Sequence, residues 1–389
     1  MFPVELWAII FKFVQSPRDL SQICSISRTF RREATPRLYH SVVLSSGWDQ
    51  LLAFSRVVTR EGKRVARLSI GIHGNLDRCR ILVEQKQLLR AILRALPNLR
   101  FLDLSAATPH SIDCCFASSM STMFGGCQFQ LEEFRNSVIT FDHTIDFLAT
   151  QSSLRSWEHL PESLSHRVRR FDESFLPAIS SVDIDTDLLI RCFSIARPIE
   201  RMHLRIGGGQ EEVFFLDLIQ AVGLFGPSLT TLSLDGTLCS SGTVTALASG
   251  LAEGFLPHLV HLSLKDDYLT EDDDFLEDYP VDFSTGLCEL CDCIAHFKTL
   301  ETFVFSPPHL TGDPSWWSMG VSSRALAQVV ARAIFASCAS LRLVALPAGA
   351  RSSFEIASPE FVTYTRGSDG DAHETTEETL NLNSWKTLS

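Results

Sequence analysis

The sequence feature that most constrains this chain is a short apolar pattern that recurs from residue 65 onward. The pattern has the form apolar-x-x-apolar-x-apolar, and successive copies begin about 31 residues apart on average. A unit that returns at this spacing indicates a fold built by stacking one small element many times. The ten copies are Val65-Leu68-Ile70, Leu99-Leu102-Leu104, Leu131-Phe134-Asn136, Leu154-Trp157-His159, Ile179-Val182-Ile184, Ile199-Met202-Leu204, Leu229-Leu232-Leu234, Leu259-Leu262-Leu264, Leu300-Phe303-Phe305 and Leu341-Val344-Leu346.

Each copy predicts one short strand, because its last two apolar residues alternate along the chain and point to the same side. Helical patterns separate the copies at residues 88–96, 214–222, 244–251, 287–297 and 325–335. One strand and one helix per unit resembles the leucine-rich repeat of the ribonuclease-inhibitor type. The unit lengths are irregular, and Asn136 and His159 are polar at a core position. The alternative is an ordinary doubly wound α/β domain, but the recurring unit favours the repeat.

The first forty residues predict a separate module of three short helices. Apolar residues almost surround the helix that follows Pro3, and Ser16 with Pro17 forms a capped start for the second. Thr35 with Pro36 predicts the start of the third helix in the same way. Because so small a segment cannot bury all of its apolar surface, the pattern implies a partner.

This module resembles an F-box, the segment by which substrate receptors dock on the Skp-type adaptor of a cullin ubiquitin ligase. The stretch from Ala34 to Val42 is similar to the ending common in fungal F-box proteins. The resemblance rests on Pro3, Glu5, Leu6, Ile10, Phe11, Asp19, Leu20, Ser27, Arg28 and Phe30. It implies an adaptor contact formed by Pro3, Leu6, Ile9, Ile10, Leu20, Ile23 and Cys24. The alternative is an amphipathic helical cap on a larger fold.

The predicted fold class is therefore α/β, with an N-terminal three-helix F-box and an irregular leucine-rich-repeat solenoid with parallel strands inside and helices outside. The predicted boundaries are 1–45 for the F-box, 46–64 for a connecting helix, 65–357 for the repeat array and 358–389 for a partly disordered tail. An acidic run at 266–278 predicts a solvated loop. From Arg366 onward the chain is polar and poor in apolar residues.

Composition narrows the function classes. The net charge of −12 in 389 residues disfavours a general nucleic-acid binder, which needs a basic surface. The 11 cysteines show no paired spacing and predict reduced thiols in the cytoplasm or nucleus. No apolar run approaches the length of a membrane span, so no membrane partner is expected.

The sequence carries no strong catalytic or metal-binding motif. Cys288, Cys291 and Cys293 form Cys-x-x-Cys-x-Cys, yet no second ligand pair follows at zinc-finger spacing. Cys291 falls on the apolar face of a predicted helix and is expected in the core. We therefore expect no catalytic residue, no metal, no cofactor and no enzyme activity.

Outward-facing strand residues are the best candidates for contact with a protein target. Strands lie about 4.8 Å apart, so residues of three consecutive units would form one surface. Its nine residues are Arg201, His203, Arg205, Thr231, Ser233, Asp235, His261, Ser263 and Lys265. The basic members Arg201, His203, Arg205, His261 and Lys265 predict an acidic or phosphorylated target. The alternative is a solvated surface without a ligand.

Together these features predict a non-catalytic substrate receptor of an SCF-type ubiquitin ligase. The F-box would bind the adaptor and the repeats would hold a target, so that tethering makes ubiquitin transfer effectively intramolecular. The first alternative is a repeat scaffold that no longer binds an adaptor. An unrecognised hydrolase ranks lowest.

Overall fold

The structure, a computed structural model, describes residues 4–44, 47–72, 79–106, 122–160, 171–206, 212–236, 250–251, 255–265, 283–306, 323–347, 361–367 and 371–375. The chain forms two compact units. Unit 1 comprises Met1–Arg167 with Glu173–Ile179, and unit 2 comprises Val168–Asp172 with Ser180–Ser389. The repeat pattern is uniform across the division, so periodicity alone does not reveal it.

Unit 1 places three helices before a parallel sheet. Its five strands, β1 to β5, pair in chain order, each parallel to the next. The elements are α1 (Val4–Ile10) continued by a 3-10 turn (Phe11–Phe13), α2 (Pro17–Ile26), α3 (Arg28–Leu38), β1 (Ser41–Leu44), α4 (Gly47–Glu61) with a 3-10 turn (Gly62–Arg64), β2 (Arg67–Ile72), α5 (Cys79–Arg94), β3 (Phe101–Ala106), β4 (Glu133–Asn136), α6 (Phe141–Leu148) and β5 (Ser156–His159).

Unit 2 also contains parallel strands, with helices between several of them. Strands β6 to β11 are parallel in chain order, and β12 and β13 then pair antiparallel beyond β11. The elements are β6 (Ser181–Asp185), α7 (Thr186–Cys192), β7 (Arg201–Ile206), α8 (Glu212–Gly223), β8 (Thr231–Gly236), β9 (His261–Lys265), α9 (Phe283–Ala295), β10 (Thr302–Ser306), α10 (Arg324–Ser337), β11 (Leu343–Pro347), β12 (Phe361–Arg366) and β13 (Ala372–Thr375).

The ten predicted repeat units are confirmed, and their side chains form the core of the two units. All thirty residues of the pattern are at most 1% exposed. The second pattern residues align across neighbouring strands, as Leu68 does with Leu102, and Met202 with Leu232. The described part of the array therefore resembles leucine-rich repeats, in which stacked parallel strands bury rows of apolar side chains.

A repeated backbone contact explains how units of unequal length keep one register. In unit 1, the carbonyl oxygen of Ala66 accepts hydrogen bonds from the backbone N–H of Arg100 and the backbone N–H of Phe101, at 2.9 and 3.0 Å. The carbonyl of Glu200 does the same for Thr230 and Thr231 in unit 2. This contact fixes where each strand begins, so units of different length keep the same strand register.

Two polar residues occupy core positions without leaving the repeat. Asn136 Oδ1 accepts from the backbone N–H groups of Val138 and Ile139, at 3.1 and 2.9 Å. Its amide nitrogen also contacts Nδ1 of buried His159 at 3.1 Å. A buried amide that binds the turn after its own strand meets the requirement that buried polar groups be hydrogen-bonded.

The structure corrects one sequence expectation and adds detail at both ends of the sheet. The third helix does not begin at Thr35 and Pro36, because the Ser27 hydroxyl already caps α3 by accepting from the Phe30 N–H at 3.1 Å. Pro36 instead lies inside that helix. An additional strand, β1, precedes the first predicted repeat. The tail at 358–389, predicted to be partly disordered, contains the described strands β12 and β13.

Other local expectations hold where the structure describes them. Ser16 caps α2 through the N–H of Asp19, with Pro17 as the first helical residue. The predicted helices at 88–96, 214–222, 287–297 and 325–335 correspond to α5, α8, α9 and α10. The predicted helix at 244–251 falls mostly outside the described residues, and the acidic run at 266–278 lies wholly outside them.

Candidate functional site

The first helix of unit 1 packs one aromatic face inward. Trp7 and Phe11, one turn apart, both contact Phe30 of α3, with ring centres 4.6 and 5.6 Å away. Phe11 is buried with Leu20 and Ala34, and this cluster holds the three helices together. Aromatic contacts of this kind add to the hydrophobic stabilisation of a small module.

The opposite face of the same helix is apolar and exposed. Leu6, Ile9 and Ile10 are 39%, 49% and 44% exposed, and Phe13 is 80% exposed. These residues follow helical spacing, so they lie on one side of α1 and its 3-10 continuation. We call Leu6, Ile9, Ile10 and Phe13 the α1 face. Large apolar residues grouped on one surface mark an interaction site more often than isolated ones do.

The structure distributes the predicted adaptor residues among different environments. Leu6, Ile9 and Ile10 share the α1 face, whereas Leu20 is only 5% exposed and belongs to the internal cluster. Ile23 and Cys24 are partly buried against that cluster, and Pro3 lies outside the described residues. The physical reason for the position of Leu20 is that α2 must supply the core under Phe11.

Sequence reasoning missed Phe13 and Ile26, which are the most exposed large apolar residues of the described helices of the module. A signal for Phe13 was present, because it stands one turn after Ile9 and Ile10. Its omission followed from the motif, which draws attention to Phe11 instead. Ile26 ends α2 and had no comparable signal.

The residues predicted to contact a target lie in three rows across strands β6 to β9 of unit 2. One row contains Asp185, Arg205, Asp235 and Lys265, which are direct partners on consecutive strands. The second contains Asp183, His203, Ser233 and Ser263, and the third contains Ser181, Arg201, Thr231 and His261. The structure therefore brings all five predicted basic residues onto one face, and adds Asp183, which the sequence analysis omitted.

Most of the charge on this face is paired internally. His203 Nδ1 lies 3.2 Å from Asp183 Oδ1, and His203 Nε2 lies 3.7 Å from Asp235 Oδ2. Arg205 also donates to Asp183, and Lys265 Nζ donates to both oxygens of Asp235 at 2.8 and 2.9 Å. We call Arg205, Asp183, His203, Asp235 and Lys265 the ion chain. In it, positive and negative groups alternate.

The ion chain changes the titration of its members. Burial opposes a charge on His203, but the contacts with Asp183 and Asp235 outweigh it and raise its pKa. For Asp235, burial favours the neutral acid, yet His203 and Lys265 together lower the pKa of its carboxyl. Opposite charges at such distances favour the charged form of each partner.

His261 differs from His203 although it lies on the same face. Burial lowers the pKa of His261, and the negative charge of Glu301 opposes this only in part. No carboxylate within the described part of the chain forms an ion pair with its ring. The two histidines thus form a natural comparison, one held between carboxylates and one not.

A row of Asp183, His203 and Ser233 on adjacent strands invites a hydrolase interpretation. In a serine–histidine–aspartate triad, one imidazole nitrogen contacts the acid and the other contacts the serine. Here the second nitrogen, Nε2, faces Asp235 instead. The arrangement therefore supports an ion network better than an activated serine.

Unit 1 also presents charge beside an aromatic ring. The guanidinium carbon of Arg67 lies 4.0 Å from the centre of the Phe101 ring, and that of Arg135 lies 5.5 Å from it. Arg67 and Arg135 also approach Glu133 and Glu158, at 3.7 and 3.5 Å. Acidic and basic groups alternate on this surface too, so it has no strong net preference for one sign of charge.

The cysteine cluster corrects one sequence expectation, because the core position expected for Cys291 is taken by Cys293. Cys288 is exposed, Cys291 is partly buried and Cys293 is buried on α9. Burial raises the pKa of Cys293 to about 12. Among the described residues, no three histidine, cysteine or acidic side chains are grouped so that they could hold a metal ion. Within the same residues, no helix has the length and apolar character needed to cross a membrane.

Comparisons with known proteins add little to these observations. No family model matches the chain, and no curated protein matches it. Among solved structures, the chain is similar to the leucine-rich repeat-containing protein LegL7 from Legionella pneumophila. The identity is 15%, the match covers 86% of this chain and 84% of that one, and the TM-score is 0.33.

Proposed function

We propose that this protein is a substrate receptor of an SCF-type ubiquitin ligase, in which the α1 face binds a Skp-type adaptor and the repeats bind a protein target. The observation that carries the proposal is the division of α1 into two apolar faces. Trp7 and Phe11 build the internal cluster, while the α1 face stays exposed. A soluble helix with a second apolar face needs another surface to cover it.

The F-box resemblance of the sequence supports the identity of that surface. The matched positions Phe11, Leu20 and Phe30 form the internal core of the module. Matched positions Leu6 and Ile10 lie on the α1 face. One motif thus supplies both the fold of the three helices and the surface offered to a partner, which a helical cap on a larger fold would not require.

The same proposal assigns the target to the outward face of β7 to β9. Arg201, His203, Arg205, His261 and Lys265 all point to this side and form one continuous surface. An acidic or phosphorylated target must compete with Asp183 and Asp235 for Arg205 and Lys265. Target capture is therefore expected to depend more on shape than on net positive charge.

The adaptor step is tested by purifying the full chain together with a Skp-type adaptor. Leu6→Ala combined with Ile10→Ala should abolish co-purification, because both side chains belong to the exposed face and neither supports the internal cluster. A matched control is Leu326→Ala combined with Val329→Ala on α10, where two apolar residues have similar exposure, 39% and 46%. The control variant should retain the adaptor.

Three outcomes separate the possible functions. Loss of adaptor in the α1 variant alone supports the receptor. Full adaptor binding by both variants would remove the α1 face from the proposal. If the unmodified chain binds no adaptor at all, the scaffold alternative is favoured, since the repeats could still bind a protein without a ligase.

A further inference from the structure

The imidazole of His203 stands between two carboxylates on two different strands. Asp183 of β6 lies 3.2 Å from Nδ1, and Asp235 of β8 lies 3.7 Å from Nε2. A neutral imidazole carries one N–H group, whereas the imidazolium carries two. Only the protonated ring can therefore donate toward both carboxylates at once.

We propose that His203 is a protonation-dependent lock on the outward face of unit 2. As imidazolium, it joins β6 to β8 through Asp183 and Asp235. As neutral imidazole, it keeps a donor for one carboxylate and turns a lone pair toward the other. The proposal concerns this strand face itself and does not depend on whether the chain binds an adaptor.

The remaining charges around His203 explain why such a lock is reversible. Asp183 also forms an ion pair with the guanidinium of Arg205, and Asp235 forms one with the ammonium of Lys265. Neither carboxylate is left without a cation when the imidazolium loses its proton. Deprotonation therefore loosens the connection between strands without exposing a buried unpaired charge, which would be far more costly.

The lock also sets the charge of the surface. With His203 neutral, the two cations and two anions of the ion chain cancel. With His203 protonated, the chain carries one net positive charge at its centre. The potential felt by a bound protein segment thus changes by a full unit of charge, in the pH range where histidine is the usual switch.

The titration can be followed by NMR on the full chain with ¹⁵N-labelled histidine. The signal that disappears in the His203→Gln variant identifies His203. We expect its midpoint to lie above 6.5, the ordinary value, with both ring nitrogens protonated on the acidic side. A midpoint at or below that value, or a single protonated nitrogen throughout, would overturn the proposal.

A second variant covers the case in which His203→Gln does not fold. Asp235→Asn keeps an oxygen acceptor but removes the charge, so it should shift the His203 midpoint downward while Asp183 still contacts the ring. The matched control is His261→Gln, which lies on the same face outside the ion chain and should leave the midpoint unchanged. An Asp235→Asn midpoint equal to that of the unmodified chain would contradict the lock.

Discussion

Arg366 of β12 donates a hydrogen bond of 2.7 Å to the carbonyl oxygen of Cys338, the residue that caps the C-terminus of α10. The same guanidinium donates to the carbonyls of Phe335 and Ala339. One side chain thus satisfies several carbonyls that a helix end leaves without partners, and its positive charge complements the helix dipole. The contact connects the antiparallel strands β12 and β13 to the last helix of unit 2.

Arg366→Ala should lower the free energy of unfolding of unit 2 by about 2 kcal/mol, because hydrogen bonds to charged groups contribute this much and the carbonyls are partly buried. Arg342→Ala is a suitable control, since its only described ion pair, with Glu301, is 3.9 Å long and exposed. Urea denaturation of both variants measures the difference. Equal effects of the two substitutions would mean that Arg366 does not hold the end of α10.

Leu20→Ala and Ile9→Ala should separate stability from binding in the N-terminal module. Leu20 is buried with Phe11, so its truncation leaves a cavity and should cost about 3 kcal/mol. Ile9 is 49% exposed, and its truncation should change stability by less than about 1 kcal/mol while weakening adaptor binding. Thermal unfolding and adaptor titration test the pair. A stability loss as large for Ile9→Ala as for Leu20→Ala would contradict the assigned faces.

The two histidines on the outward face of unit 2 should give opposite dependences of stability on pH. The pKa of His203 is raised on folding, so its stabilising contribution is complete below about 6.5 and is lost as pH rises through the folded value. The pKa of His261 is lowered on folding, so the unfolded chain binds the proton more strongly and stability falls as pH drops below about 6.5.

Urea unfolding midpoints at several pH values measure these contributions. The unfolding midpoint of the unmodified chain should exceed that of His203→Gln at low pH, and this difference should become smaller as pH rises above neutrality. The stability of the unmodified chain relative to His261→Gln should decrease as pH falls toward acidic values. The same pH trend for both variants would show that the contacts with Asp183 and Asp235 do not control the titration of His203.

The cysteines of α9 should differ sharply in reactivity. Cys288 is exposed, whereas burial raises the pKa of Cys293 to about 12 and leaves almost no thiolate near neutral pH. Brief treatment of the folded chain with iodoacetamide, followed by peptide mass spectrometry, should label Cys288 first. Labelling of Cys293 at a comparable rate would mean that α9 opens readily.

The chain is expected to carry no stoichiometric metal. The spacing of Cys288, Cys291 and Cys293 offers no second ligand pair, and a buried thiol with a raised pKa is a poor metal ligand because metals bind the thiolate. Elemental analysis of the purified protein should find well under one zinc per chain. A content of one zinc per chain would contradict this expectation if the zinc disappeared when both Cys288 and Cys291 were replaced by serine.

The sequence by itself determined the local plan of this protein. Ten copies of an apolar pattern located ten strands, and hydroxyl and proline signals located the start of α2. These features depend on residues close together in the chain, where periodicity and capping act directly. The same local logic misplaced the start of α3, because Thr35 and Pro36 satisfy the capping pattern as well as Ser27 does.

The tertiary structure alone decided which side chains of the N-terminal module are exposed and which charges meet. Leu6 and Leu20 are equally apolar in the sequence, yet one lies on the α1 face and the other in the internal cluster. Asp183 and His203 are 20 positions apart, and their contact exists only because β6 and β7 are neighbours in one register. Burial and ion pairing depend on where strands and helices pack, so they follow from the fold and cannot be obtained from spacing along the chain.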